Sequence, residues 1–193
     1  MTNGLRSYFT ELGNLASTAA DTMGADVESA ARLVAEGVLS GRTAFAFGNG
    51  GSATQAQHFA AELVVRYHED RPALPGIALT ADIAILTACT NDYDYSVVFS
   101  RQLEALGRPD DIAIGITTSG KSPNVLKALA TARRKRMSTI LLTGERGRAE
   151  AANWDVGIVV PSIETAHVQE LHLAALHYLC LSVDQERARR KMP

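Results

Sequence analysis

Five short runs of the chain, TAFAF (43–47), GIALT (76–80), DIAIGIT (111–117), STILLTG (138–144) and DVGIVVP (155–161), are apolar at nearly every position. A strand with one face in water alternates apolar and polar residues. A strand that is apolar throughout has both faces covered, as in a parallel sheet with helices on each side. The stretches between the runs are mostly helical in pattern, so the sequence predicts an α/β fold built on an open sheet of about five parallel strands. Residues 13–39 carry Leu15, Ala19, Met23, Val27, Ala31, Leu33, Val34 and Val38 at helical spacing, which reads as one amphipathic helix or as two divided near Gly24. A last helix over about Thr165 to Arg189 closes the domain and leads into a basic, solvated RARRKMP tail. With no internal repeat, low-complexity tract or linker, 193 residues of 46% hydrophobic content suit a single domain spanning 1–193.

A formal net charge of -2 leaves no global basic field, so nucleic acid is not expected as a partner. Cys89 and Cys180 belong to no CxxC and to no closely spaced zinc cluster, and read as buried thiols in a reducing compartment. The N-terminal MTNGLRSYFTELGNLAS is broken by polar and charged residues and resembles neither a signal peptide nor a membrane span. A cytoplasmic location with no membrane partner is the expectation.

Ligands of an open parallel sheet bind beyond the carboxyl ends of its strands. After the first strand comes Gly48-Asn49-Gly50-Gly51-Ser52, where glycines permit positive φ and Ser52 is a candidate N-cap for the helix that follows. After the DIAIGI strand comes Thr117-Thr118-Ser119-Gly120-Lys121-Ser122-Pro123-Asn124, opening VLKALATARRKR. Its hydroxyls, glycine and proline put donors at the positive end of a helix, which suits a phosphate better than an ordinary cap, for which one serine suffices.

His58 and Glu62 stand at i and i+4 on one helix face, within reach of one metal ion, one substrate atom, or simply each other. The last helix contributes VQELHLAALHYL, in which Gln169, His172 and His177 interrupt an apolar sequence. Gln169 and His177 are about 12 Å apart along the axis and about 80° apart around it. To hold one ion, their side chains must lean together or come from different subunits.

Assembled, these residues resemble the phosphoheptose isomerases, the sedoheptulose 7-phosphate isomerases of the sugar isomerase (SIS) domain superfamily. The likeness rests on FGNGGSATQAQHFAAEL, VVRYHEDRPALPGIAL, TNDYDYSVVFSRQLEALGRPDDIAIGITTSGKSPNV and the Gln-plus-His pattern of the last helix, and it runs over nearly the whole chain. It implies a flavodoxin-like three-layer sandwich with a five-stranded parallel sheet and N-terminal helices at about 1–40. It also implies a homotetramer with active sites at subunit interfaces and one zinc ion per subunit. The family's zinc ligands fall on His58, Glu62, Gln169 and His177, a set suited to zinc apart from the less usual amide. Its substrate contacts fall on Asn49, Gly50, Gly51, Glu62, Asn91, Asp92, Thr117, Thr118, Ser119, Ser122 and Gln169. The loop departs from the family's frequent STSGNS, with Thr117 keeping a hydroxyl and Lys121 expected to point into water.

The implied reaction converts sedoheptulose 7-phosphate to D-glycero-D-manno-heptose 7-phosphate through an enediol, with Glu62 as the base at C1, His177 as its acid/base partner and zinc polarising the carbonyl. The alternatives are an isomerase of another sugar phosphate, or a non-enzymatic SIS protein that associates with the replication initiator or senses a sugar phosphate. The non-enzymatic readings need no acid/base pair.

Overall fold

The computed structural model describes residues 2–192, so Met1 and the Pro193 of the expected tail lie outside the described residues. The elements are α1 (Thr2–Leu39), β1 (Ala44–Gly48), α2 (Gly51–Val64), β2 (Gly76–Ala78), α3 (Ile83–Asp92), α4 (Val98–Leu106), β3 (Ile112–Ile116), α5 (Pro123–Arg134), β4 (Ser138–Gly144), α6 (Arg148–Ala151), β5 (Val156–Val160) and α7 (Thr165–Arg189). All five strands are parallel, in the order β2-β1-β3-β4-β5. This is the flavodoxin-like α/β sandwich the sequence predicts, with α7 at its expected bounds.

The strands alternate between two cores. Ala44 and Ala46 of β1, Ile112, Ile114 and Ile116 of β3, and Ile158 and Val160 of β5 face the layer formed by α1, α2 and α7. Phe45, Phe47, Ala113, Leu141 and Val159 face the opposite layer, against Phe99 and Leu103 of α4 and Val125 and Leu129 of α5. Each strand is therefore apolar at successive positions because each side chain has a helix to meet.

Several boundaries differ from the sequence reading. The strands lose their polar or terminal residues: Thr43, Asp111, Thr117 and Asp155 lie outside them, and β2 is only Gly76–Ala78. Asp111 is buried before β3, its carboxylate accepting from the main-chain N–H groups of Thr43 and Arg108. The N-terminal region takes the one-helix alternative, unbroken at Gly24, and starts at Thr2, earlier than the pattern from residue 13. Met23, Val27, Ala30, Ala31 and Val34 bury a continuous stripe across that position. Tyr8 ties its first turns to α7, donating to the Glu170 carboxylate at 2.6 Å. The basic tail is helical to Arg189, and Arg189 and Arg190 both pair with Glu186, whose carboxyl they hold down at about 2. Cys89 and Cys180 are buried free thiols. Among the described residues no helix is long and apolar enough to cross a membrane.

His172 on α7 is fully buried, and neither ring nitrogen has a hydrogen-bond partner among the described residues. Burial lowers its pKa from 6.5 to about 4, the Thr143 main chain opposing weakly. The folded pKa lies below the unfolded one, so this group's stability is fully present above pH 6.5 and is lost as pH falls through about 4, amounting to about 3 kcal/mol. Urea midpoints should therefore fall more steeply between pH 7 and 4 in the natural chain than in His172→Leu. Parallel falls would contradict this assignment.

Candidate active site

β1 and β3 are neighbours, yet the chain leaves β1 towards β2 on one side and β3 towards β4 on the other. A crevice opens beyond the carboxyl ends of strands that part in this way. Both loops singled out in the sequence lie there.

Gly50 has φ 55° and ψ -123°, a turn geometry that disfavours any residue with a side chain. A Cβ on Gly48 would fall 2.7 Å from the Ile116 carbonyl oxygen and 2.8 Å from Ser52 Cβ, so α2 starts hard against β3. The expected cap at Ser52 is corrected for this reason. The helix begins at Gly51 behind Gly50, no side chain caps it, and Ser52 is buried in its first turn.

Across the crevice, Asn49 and Asn124 exchange amide hydrogen bonds of 2.9 and 2.8 Å, and the Tyr95 hydroxyl donates to Asn49 Oδ1 at 2.9 Å. Asn124 is buried at the second position of α5. This network links the glycine turn to the hydroxyl-rich loop. In that loop the Thr117 and Ser122 hydroxyls are 2.8 Å apart, Ser119 Oγ is 3.5 Å from Thr117 Oγ1, and the Lys121 N–H donates to Ser119 Oγ at 3.2 Å. Ser122 is the N-cap of α5 and Pro123 its first residue, with no side chain spent on capping. Three hydroxyls thus gather at a helix N-terminus, an arrangement able to receive a phosphate. Thr118 is half-buried beside them, and Lys121 is exposed as expected.

The second cluster belongs to α2 and α7, which run side by side in the same direction. At their starts, Gln55 donates to the Gln169 carbonyl at 2.6 Å, and the Gln169 carboxamide fills the space where a Gly51 Cβ would be. Less than one turn further along α2 and about two turns further along α7, His58 Nε2 lies 2.8 Å from His177 Nε2 and 3.4 Å from Glu62 Oε1. His58, Glu62 and His177 therefore meet within one chain. The Tyr67 ring stacks on His177 at 5.7 Å between centroids. Beneath them, burial pushes the Cys180 thiol up to about 12, with the Glu62 charge adding to the effect, so it is an inert neighbour.

Asn91 and Asp92 end α3, exposed, with the Asn91 amide donating to the Asp92 carboxylate at 2.8 Å. They make no hydrogen bond to either loop; Tyr95, just beyond them, does. The residues missed by sequence reasoning are Tyr67, Tyr95 and Asn124. Asn124, directly after the proline of the hydroxyl loop, carried the clearest signal.

Among the described residues no group of three or more His, Cys, Asp or Glu side chains is so arranged that it could hold a metal ion as it stands. The His58–His177 spacing of 2.8 Å is that of a hydrogen bond between imidazoles. Two nitrogens on tetrahedral zinc stand about 3.3 Å apart, so the rings need to part by about half an ångström. Two imidazoles and a carboxylate from two helices fit zinc in kind. The Gln169 amide, at Gly51, is apart from them.

Residues 7–144 match the family model described as SIS domain. The phosphoheptose isomerase of Shewanella denitrificans is 44% identical over 96% of both chains, and that of Thiobacillus denitrificans 46% identical over 86% of both. The chain belongs to the phosphoheptose isomerase family of SIS-domain proteins. The structure of a phosphoheptose isomerase from Francisella tularensis superposes with a TM-score of 0.90 at 37% identity, covering 95% of this chain and 98% of that one. The one from Neisseria gonorrhoeae gives 0.89 at the same identity and coverage. The family makes the chain an aldose–ketose isomerase acting on a sugar phosphate.

Gly120, at φ 69°, lies against Gly147 Cα with no room for a side chain. Gly120→Ala should displace the hydroxyl loop and weaken phosphate binding, followed by 31P NMR titration, by about tenfold or more, a loss of about 1.4 kcal/mol. Unchanged affinity would show that this loop is not the phosphate seat.

Proposed function

We propose that the chain interconverts sedoheptulose 7-phosphate and D-glycero-D-manno-heptose 7-phosphate through an enediol, with zinc as its metal. The observation that carries this reading is the meeting of Glu62, His58 and His177 from two helices at 3.4 and 2.8 Å. A carboxylate beside an imidazole supplies the base and acid that proton transfer between C1 and C2 requires. A sugar-phosphate sensor would need the 117–122 loop alone.

The hydroxyls of Thr117, Thr118, Ser119 and Ser122, with the first N–H groups of α5, seat the phosphate. Asn49, Gly50 and Gly51 contact the sugar hydroxyls, joined by Gln169 at Gly51 and by Asn91 and Asp92. From Gly51 to His58 along α2 is about 10 Å. A seven-carbon chain suits that span, with its phosphate at the crevice and its carbonyl end at the histidines.

Glu62 takes the proton from C1, and the electrons of that C–H bond form the C1=C2 bond of the enediol as the C2 oxygen gains a proton. His177, held face-on by Tyr67, exchanges protons with the enediol oxygens. A proton delivered to C2 and one lost from the C1 hydroxyl leave the aldehyde. His58, Glu62 and His177 are the residues that would hold zinc. When bound, the ion supplies Lewis-acid polarisation of the carbonyl oxygen.

We assign the exposed apolar residues Leu5 and Phe9 of α1 and Ile83 and Tyr93 near α3 to subunit contacts in a homotetramer, with α3 bringing Asn91 and Asp92 to an interface. In that assembly a Gln169 amide reaches a metal only across a subunit contact.

Glu62→Gln should fold and assemble normally and lower kcat on sedoheptulose 7-phosphate by about 10²-fold or more. Undiminished turnover removes Glu62 from the mechanism. Metal analysis of protein purified without added zinc should find about one ion per chain, removed together with activity by a chelator. Full activity in metal-free protein would defeat the ligand assignment.

A further inference from the structure

The Arg71 guanidinium lies entirely out of water, and each of its nitrogens has a partner. Nε donates to Asp184 Oδ1 of α7 at 2.9 Å. One terminal nitrogen donates to the Leu63 carbonyl at 2.8 Å and the Pro72 carbonyl at 3.3 Å, and the other to the carbonyl of Glu62 itself at 2.8 Å. The other Asp184 oxygen accepts from the main-chain N–H groups of His68 and Glu69 at 3.2 and 3.3 Å.

The carbonyls of the last turn of α2 have no partner within the helix, and Arg71 supplies one for two of them. The same guanidinium reaches a carboxylate seven residues beyond His177, two turns along the same helix. The backbone that carries Glu62 is thereby fixed to the helix that carries His177. By holding His68 and Glu69, Asp184 also fixes the loop whose Tyr67 ring lies on His177. The Gln55–Gln169 bond fastens α2 to α7 at the other end, so His58, Glu62 and His177 sit between two fasteners. A buried ion pair is seldom the most stabilising filling for such a space, because apolar groups of equal volume do as well or better. A planar fork that reads three acceptor directions at once is what fixes distances.

We propose that the Arg71–Asp184 pair is the positioning device of the active site, setting the separation of Glu62 and His177 without touching substrate. This rests on the acid/base roles given above.

Arg71→Lys keeps the charge and loses the fork, while Asp184→Asn keeps an acceptor for Nε and loses the charge. Assayed well below their melting temperatures, both should turn over sedoheptulose 7-phosphate with kcat lowered about 10- to 100-fold and KM changed by less than about threefold. Crystal structures of the variants should superpose in the sheet on the natural chain crystallised in the same metal state, with the His58–His177 separation changed from that of the natural chain or Glu62 turned away. A pair that only stabilises the fold would lower the melting temperature and leave both kcat per folded molecule and the contact unchanged, and that result overturns the proposal. Should the natural chain turn over no sugar phosphate, the proposed reaction falls, and the variant crystal structures alone decide the positioning role: an unmoved trio refutes it.

Discussion

Strands that are apolar on both faces must be covered on both, and in this chain that demand organises everything else. It forces helices to cross from one strand to the next on either side of the sheet, and with the order β2-β1-β3-β4-β5 it makes the chain leave β1 and β3 in opposite directions. The crevice between those two exits follows from covering the sheet twice. What is specific to this chain is how the crevice is furnished: a glycine turn on one lip, a hydroxyl loop on the other, and the Asn49–Asn124 amide pair between them.

The same covering places α2 and α7 side by side on one face. The two helices are not in step, for the contacts advance three residues along α2 from Gln55 to His58 and eight along α7 from Gln169 to His177, so side chains lean to meet. Gln55 meets Gln169, His58 meets His177, and the end of α2 meets Asp184 through Arg71. Chemistry that needs two groups on different elements to stay at fixed separation is well served by this arrangement, since each contact constrains the next. The apolar layer beneath, including the inert thiol of Cys180, gives the charged groups a dry floor on one side while His58 remains exposed on the other.

The strands could be read from the sequence because burial on both faces leaves its mark in composition, and α7 because its pattern is long. The hydroxyl loop was legible for a related reason: four hydroxyls, a glycine and a proline in eight residues exceed what a cap needs. The partnership of His58 with His177 was not, since residues 119 positions apart are joined by helix packing that no local pattern records. Resemblance supplied the names of those residues, and the structure adds that they meet within a single chain. Arg71 and Asp184 were passed over because charged residues in HEDRPALP and LSVDQER look like solvated surface; only the packing of α7 over the end of α2 takes them out of water. Ser52 was misread because a glycine turn with positive φ caps a helix without needing a side chain.

The central claim is that this site moves a proton between C1 and C2 of a ketose phosphate through groups that exchange with solvent. Turnover of sedoheptulose 7-phosphate in D2O, followed by NMR of the aldose formed, tests it directly. The account predicts solvent deuterium at C2 of the product. Complete retention of the original C1 hydrogen at C2, with no deuterium entering, would contradict proton transfer through groups that exchange with solvent.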